Sequence, residues 1–147
     1  MGLKQYEVGK KWEETLMDYY GKRGYFTHKF PTEFNGTICD ILVAKNGSCM
    51  FIEAKHVTND KLYYKGCGLY KKRDELDNFV KKYNNNVYIM IYSDTLGVCW
   101  TTWLKARELF EKKGYLDLRY DCFKAEINVV SLSDEPLYDY GTLFFIE

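Results

Sequence analysis

Two neighbouring stretches, Thr37 to Ala44 and Ser48 to Val57, are apolar at odd and even positions alike. A strand points successive side chains to opposite sides of its sheet. One that is apolar on both sides must be covered on both sides, as are the central strands of a sheet packed between helices. Asn46-Gly47-Ser48 lies between the two stretches, and Asn-Gly is a favoured short hairpin connection. The pair therefore reads as a β-hairpin at the centre of an α/β sheet.

Three charges sit in this apolar hairpin: Asp40, Glu53 and Lys55. Alternation places Ile38, Asp40 and Leu42 on one face of the first strand, and Phe51, Glu53, Lys55 and Val57 on one face of the second. Glu53 and Lys55 are then neighbours, and pairing brings Asp40 opposite them. Charge in such surroundings is costly unless partnered, and a metal site is the simplest reason to keep it there.

The remaining elements are predicted around this hairpin. Val8, Trp12, Leu16 and Tyr19 form a helical stripe over Gln5 to Lys22, ended by Gly21 and Gly24. Helical phase sends Glu14 to solvent and leaves Glu13 at the edge of the stripe, within reach of the rim of a packed sheet. Tyr25 to Phe30 reads as a strand before Pro31, with His28 in a structural or surface role, and Asn35-Gly36 as a turn. Thr58 to Gly68 reads as a loop in which Lys61, Tyr63, Tyr64 and Lys65 interleave charge with aromatic rings, a pattern suited to phosphate contact and base stacking. A second helix is predicted over Leu69 to Tyr83, burying Leu69, Leu76, Val80 and Tyr83 with Phe79 beside them. Arg73 shares that face and Lys72 its margin, both placed to reach a phosphate. Strands at Val87 to Tyr92 and Gly97 to Thr101 and a helix over Thr102 to Lys113, closed by Gly114, complete the pattern. Further strands are expected at Ile127 to Val130 and Leu143 to Ile146, with a turn at Asp134-Glu135-Pro136.

At 147 residues, 46% of them hydrophobic, the chain is expected to form one domain spanning 1–147, with a core that needs no disulfides. The net charge of zero argues against a polycation that coats nucleic acid, though not against a local basic patch. Cys39, Cys49, Cys67, Cys99 and Cys122 form no CxxC pair and are odd in number, which points to a reducing, cytoplasmic setting rather than a disulfide or zinc framework. Met1 to Lys11 shows no secretory signal core, and no apolar run approaches the ~20 residues of a membrane helix.

Phosphodiester hydrolysis needs an activated water, neutralisation of charge on the scissile phosphate and help for the leaving oxygen. Mg²⁺ held by one or two carboxylates supplies much of this. Asp40 and Glu53 are the candidate ligands, with the Ala54 carbonyl as a third oxygen and Glu13 for a second metal or for positioning water. Lys55 is the candidate to orient or deprotonate the water and to offset transition-state charge.

Asp40 followed by Glu53-Ala54-Lys55 on an apolar strand resembles the PD-(D/E)xK nuclease superfamily, and Gly9-Lys10-Lys11-Trp12-Glu13 resembles its N-terminal helix motif. His28-Lys29-Phe30-Pro31-Thr32 and Glu53-Ala54-Lys55-His56-Val57-Thr58 resemble the RecU-type Holliday-junction resolvases. The likeness runs from about Gly9 to Tyr92. It implies a restriction-endonuclease-like αβββαβ core, a central mixed sheet flanked by helices with extra C-terminal strands. It also implies Mg²⁺ (with Mn²⁺ substituting), a homodimer, branched DNA as substrate, and a bacterial cell or phage-infected host. Cys39 stands where the superfamily motif has Pro, Arg73 roughly where the resolvases often have Gln, and no long insertion marks a junction-piercing stalk. Two other readings share these residues: a restriction-like or repair nuclease acting on duplex, nicked or flapped DNA, and an inactive nuclease-fold module that only binds DNA.

Overall fold

The computed structural model describes residues 5–31, 39–84, 87–131 and 137–142, with side chains described for 8–31, 39–84 and 87–125. Its elements begin α1 (Gln5–Gly21), β1 (Phe26–Lys29), β2 (Ile41–Lys45), β3 (Ser48–Val57) and β4 (Lys61–Tyr63). A 3₁₀ turn at Tyr70–Lys72 leads into α2 (Arg73–Tyr83), followed by β5 (Val87–Ser93), β6 (Gly97–Thr102) and α3 (Trp103–Lys113). Then come β7 (Tyr115–Asp117), α4 (Leu118–Asp121), β8 (Phe123–Lys124), β9 (Glu126–Ser131) and β10 (Leu137–Thr142). The predicted turns at Asn35-Gly36 and Asp134-Glu135-Pro136, the first residues of the predicted second strand up to Ile38, and the strand at Leu143 to Ile146 lie outside the described residues.

A six-stranded mixed sheet, ordered β1-β2-β3-β5-β6-β8, forms the centre. The β2–β3 hairpin turns on Asn46 and Gly47, both at positive φ (52° and 80°), the two-residue connection whose twist matches that of its strands. Its register pairs Ile41 with Ile52 and Lys45 with Ser48. β3 then pairs with β5 in parallel, Glu53 beside Ile89 and Lys55 beside Ile91, so the chain between them must cross over a face of the sheet. α2 is in that crossover.

Each face of the sheet has its own core. On one, α1 packs Trp12, Leu16, Tyr19 and Tyr20 onto Ile41, Val43, Met50, Ile52 and Met90. The Trp12 indole N–H donates to the Met90 carbonyl at 3.1 Å, which fixes the helix across the strands. On the other, Leu69 and Leu76 join Val87, Ile89, Ile91, Trp103, Ala106 and Phe110. The hairpin strands are thus buried from both sides, as their composition requires. α3 starts on Thr102, whose hydroxyl accepts from Lys105 N–H, and ends on Gly114 at φ 82°.

Two expectations are corrected. Thr58 to Gly68 is more than a loop, because β4 within it pairs antiparallel with β7, Lys61 opposite Asp117 and Tyr63 opposite Tyr115. The second helix opens with a 3₁₀ turn, and its last predicted core residue, Tyr83, is 58% exposed. Phe79 makes the sheet contact instead, edge-on to Phe51 at 4.8 Å. β10 pairs antiparallel with β9 in a separate two-stranded sheet.

Candidate active site

Asp40 lies one residue before β2. Its N–H donates to the Ile52 carbonyl at 3.0 Å, which continues the hairpin register and sets Asp40 across from Glu53. The Asp40 Oδ2 accepts the Ala54 N–H at 2.8 Å. Burial, then the nearby Glu53 charge, and further on that of Glu13, push the Asp40 carboxyl up to about 7. The Ala54 N–H and Lys55 pull the other way without cancelling this.

Glu53 is buried at 2% exposure, and a buried carboxylate survives only with cations or donors around it. Both its oxygens have a lysine. Lys55 Nζ is 3.3 Å from Oε1 and Lys72 Nζ 2.9 Å from Oε2. Lys55 Nζ also donates to the Cys67 carbonyl at 2.8 Å. Burial alone would lower the Lys55 pKa; the charges of Glu53, Cys67 and Asp40 outweigh it and hold the ammonium above its ordinary value. Lys55 is therefore a proton holder and donor in this arrangement.

Glu13 projects from α1 and forms an ion pair with Lys29 on β1 at 3.0 Å. Its charge reaches Asp40, but among the described residues no group of three or more His, Cys, Asp or Glu side chains is gathered to hold a metal ion. A hard cation here would rest on Asp40, Glu53 and the Ala54 carbonyl. That donor set fits Mg²⁺, which takes one or two carboxylates and fills its remaining positions with water and phosphate oxygen. The lifted Asp40 fits too, because burial and then the Glu53 charge oppose its ionisation, which a bound cation would favour.

The fold is similar to that of a Holliday junction resolvase. One matching structure is Hjc from the archaeal hyperthermophile Archaeoglobus fulgidus, with a TM-score of 0.52 and 15% sequence identity over 66% of this chain and 74% of that one. At that identity the likeness is one of fold. No protein-family model matches the chain, and no curated protein matches it. No helix among the described residues is long and apolar enough to cross a membrane.

The residues singled out for DNA contact divide. Lys72 pairs with Glu53 at 2.9 Å. Arg73 engages Tyr70 instead: its guanidinium lies 3.9 Å over the Tyr70 ring and donates to the Tyr70 carbonyl at 2.7 Å. Lys65 sits over the same ring at 5.1 Å, and Lys61 over Tyr115 at 5.3 Å. Tyr63 is 57% exposed. Tyr64 is a correction. It is 4% exposed, stacked flat on Phe110 at 4.4 Å, and donates its hydroxyl to Glu111 at 3.2 Å. It is a core residue with no ring face left for a base.

Two participants were missed in the sequence. Lys29 had a usable signal, since its pairing with Ile41 puts it on the sheet face that α1 covers, where Glu13 projects. The Cys67 carbonyl had none, because the loop that brings it to Lys55 follows no hydrophobic period.

Proposed function

We propose that the chain is a Mg²⁺-dependent DNA endonuclease whose first substrate is the four-way junction. The observation that carries this reading is the facing of Asp40 and Glu53 across paired strands, with Lys55 pinned against Glu53 by the Cys67 carbonyl. The Hjc-like fold supports the choice of a branched substrate.

In this proposal Asp40, Glu53 and the Ala54 carbonyl hold the cation. When bound, it would polarise the phosphate and ease ionisation of water. Lys55 keeps its proton and donates a hydrogen bond toward the non-bridging oxygen, where negative charge grows. Its second anchor on Cys67 fixes the ammonium before substrate arrives. Hydrolysis forms a water-oxygen bond to phosphorus and breaks the bond to one sugar oxygen. The water gives up a proton and the departing oxygen takes one. Glu13, paired with Lys29, flanks this centre and adds to the field on Asp40. Lys61, Tyr63, Lys65 and Arg73 supply cationic and aromatic surface for the DNA backbone. Two symmetric cuts need two such centres, which a C2 homodimer supplies. Free cysteines suit the reducing cytoplasm of a bacterial cell or phage-infected host.

The test is incubation with a labelled four-way junction and matched duplex, nicked and flapped controls, in Mg²⁺, in Mn²⁺ and in EDTA. Metal-dependent cutting of the junction above the controls is expected. Equal cutting of all substrates removes the junction preference and keeps the nuclease; no cutting of any DNA removes the enzyme and leaves a binding module.

A further inference from the structure

Glu53 already has a cation on each oxygen, and the two lysines differ in how they are held. Lys55 has a second anchor in the Cys67 carbonyl. The Lys72 ammonium has Glu53 as its one hydrogen-bond partner among the described residues. Lys72 is the more exposed of the two, with 24% of its side chain open against 20% for Lys55, and it covers Glu53 Oε2. Its backbone is fixed, since its N–H donates to the carbonyl of fully buried Leu69 at 3.2 Å. Only its flexible stem has to move for the ammonium to leave. Arg73 and Lys65, close to Lys72 in the chain, stand on the Tyr70 ring, and such cationic groups attract phosphate.

We propose that Lys72 is a tethered counter-ion that occupies the cation position on Glu53 until a DNA phosphate draws it away, so that DNA and divalent metal bind cooperatively. This rests on the metal-nuclease reading above. Without DNA, an incoming metal must break the Lys72–Glu53 pair. With DNA bound, the phosphate has taken Lys72 and the carboxylate is open. Linkage makes the effect reciprocal: whatever factor DNA adds to metal affinity, metal adds to DNA affinity. The consequence is a centre poorly loaded with metal away from substrate.

The experiment is calorimetric titration of Mn²⁺ alone into the free protein, comparing wild type with Lys72→Met, Lys72→Gln and Lys72→Arg. Methionine keeps the stem and loses the charge, glutamine gives a second neutral variant, and arginine keeps the charge. Both neutral variants are expected to bind Mn²⁺ about tenfold more tightly, a gain set by the ion pair no longer broken, with arginine near wild type. Junction binding is then measured by fluorescence anisotropy in EDTA and in Ca²⁺, which takes the same oxygen ligands. The tightening by Ca²⁺ should be about tenfold larger for wild type than for Lys72→Met. Equal or weaker Mn²⁺ binding by both neutral variants, with wild type binding normally, overturns the counter-ion role and leaves the nuclease reading intact. Absence of Mn²⁺ binding in every protein overturns both.

Discussion

Replacing Asp40 by Asn should stabilise the protein, and do so more as pH rises. Asn keeps an oxygen for the Ala54 N–H and loses the charge that burial and Glu53 oppose. The unfolded carboxyl releases its proton near 3.8, while the folded one holds it to about 7. Between these values the folded state binds more proton than the unfolded one, so the wild type loses stability as pH rises through that window. The span is about 3 pH units, a ceiling of about 4 kcal/mol at ~1.4 kcal/mol per unit. Asp40 is only half-buried and has Lys55 nearby, so screening reduces this to about 1–2 kcal/mol. The assay is urea unfolding of both proteins in EDTA at about pH 4.5 and about pH 8. Asp40→Asn should gain about 1–2 kcal/mol on wild type between the two conditions, with other titrating groups cancelling in the comparison. A stability difference that stays constant, or that moves toward wild type at the higher pH, refutes the electrostatic account of the site.

Further outcomes follow from the same geometry. Mg²⁺ at saturating concentration should raise the melting temperature of wild type and not of Asp40→Asn, since only a ligand bound to the folded state stabilises it. Metal affinity by calorimetry should climb between about pH 6 and about pH 8, because a proton on the lifted Asp40 competes with the cation. Tyr64→Ala should cost about 3–5 kcal/mol in urea unfolding as a core deletion. Tyr63→Ala should leave stability within about 0.5 kcal/mol and weaken junction binding in an anisotropy titration.

The central fold was legible because its signals are local. Asn46-Gly47 fixes a hairpin turn within two residues, the stripe from Val8 to Tyr19 fixes one helix face, and β3 was bounded at Ser48 and Val57 by the turn and by loss of apolar residues. With the hairpin register in place, Asp40 opposite Glu53 required nothing more than strand geometry. The β4–β7 pairing was not legible, because two three-residue strands far apart in the chain find each other only through the tertiary fold. The burial of Tyr64 does carry a sequence signal: Leu62 and Tyr64 alternate with Lys61, Tyr63 and Lys65, the period of a half-buried strand. α-Helical phase counted from Leu69 puts Arg73 on the buried face and Lys72 at its margin. The 3₁₀ turn at Tyr70–Lys72 has about 3.0 residues per turn instead of about 3.6, which rotates Lys72 onto Glu53 and leaves Arg73 on the Tyr70 ring. Tyr83 fell out of the core face predicted from the same phase.

The claim that the Asp40–Glu53–Lys55 cluster is a nuclease centre is tested most directly by single-turnover cleavage of a labelled four-way junction in Mg²⁺. Wild type, Glu53→Gln and Lys55→Met would be purified side by side. The account predicts a rate loss of about 10²–10³ or more in each variant, with junction binding retained by Lys55→Met. Cleavage by either variant at the wild-type rate would contradict it.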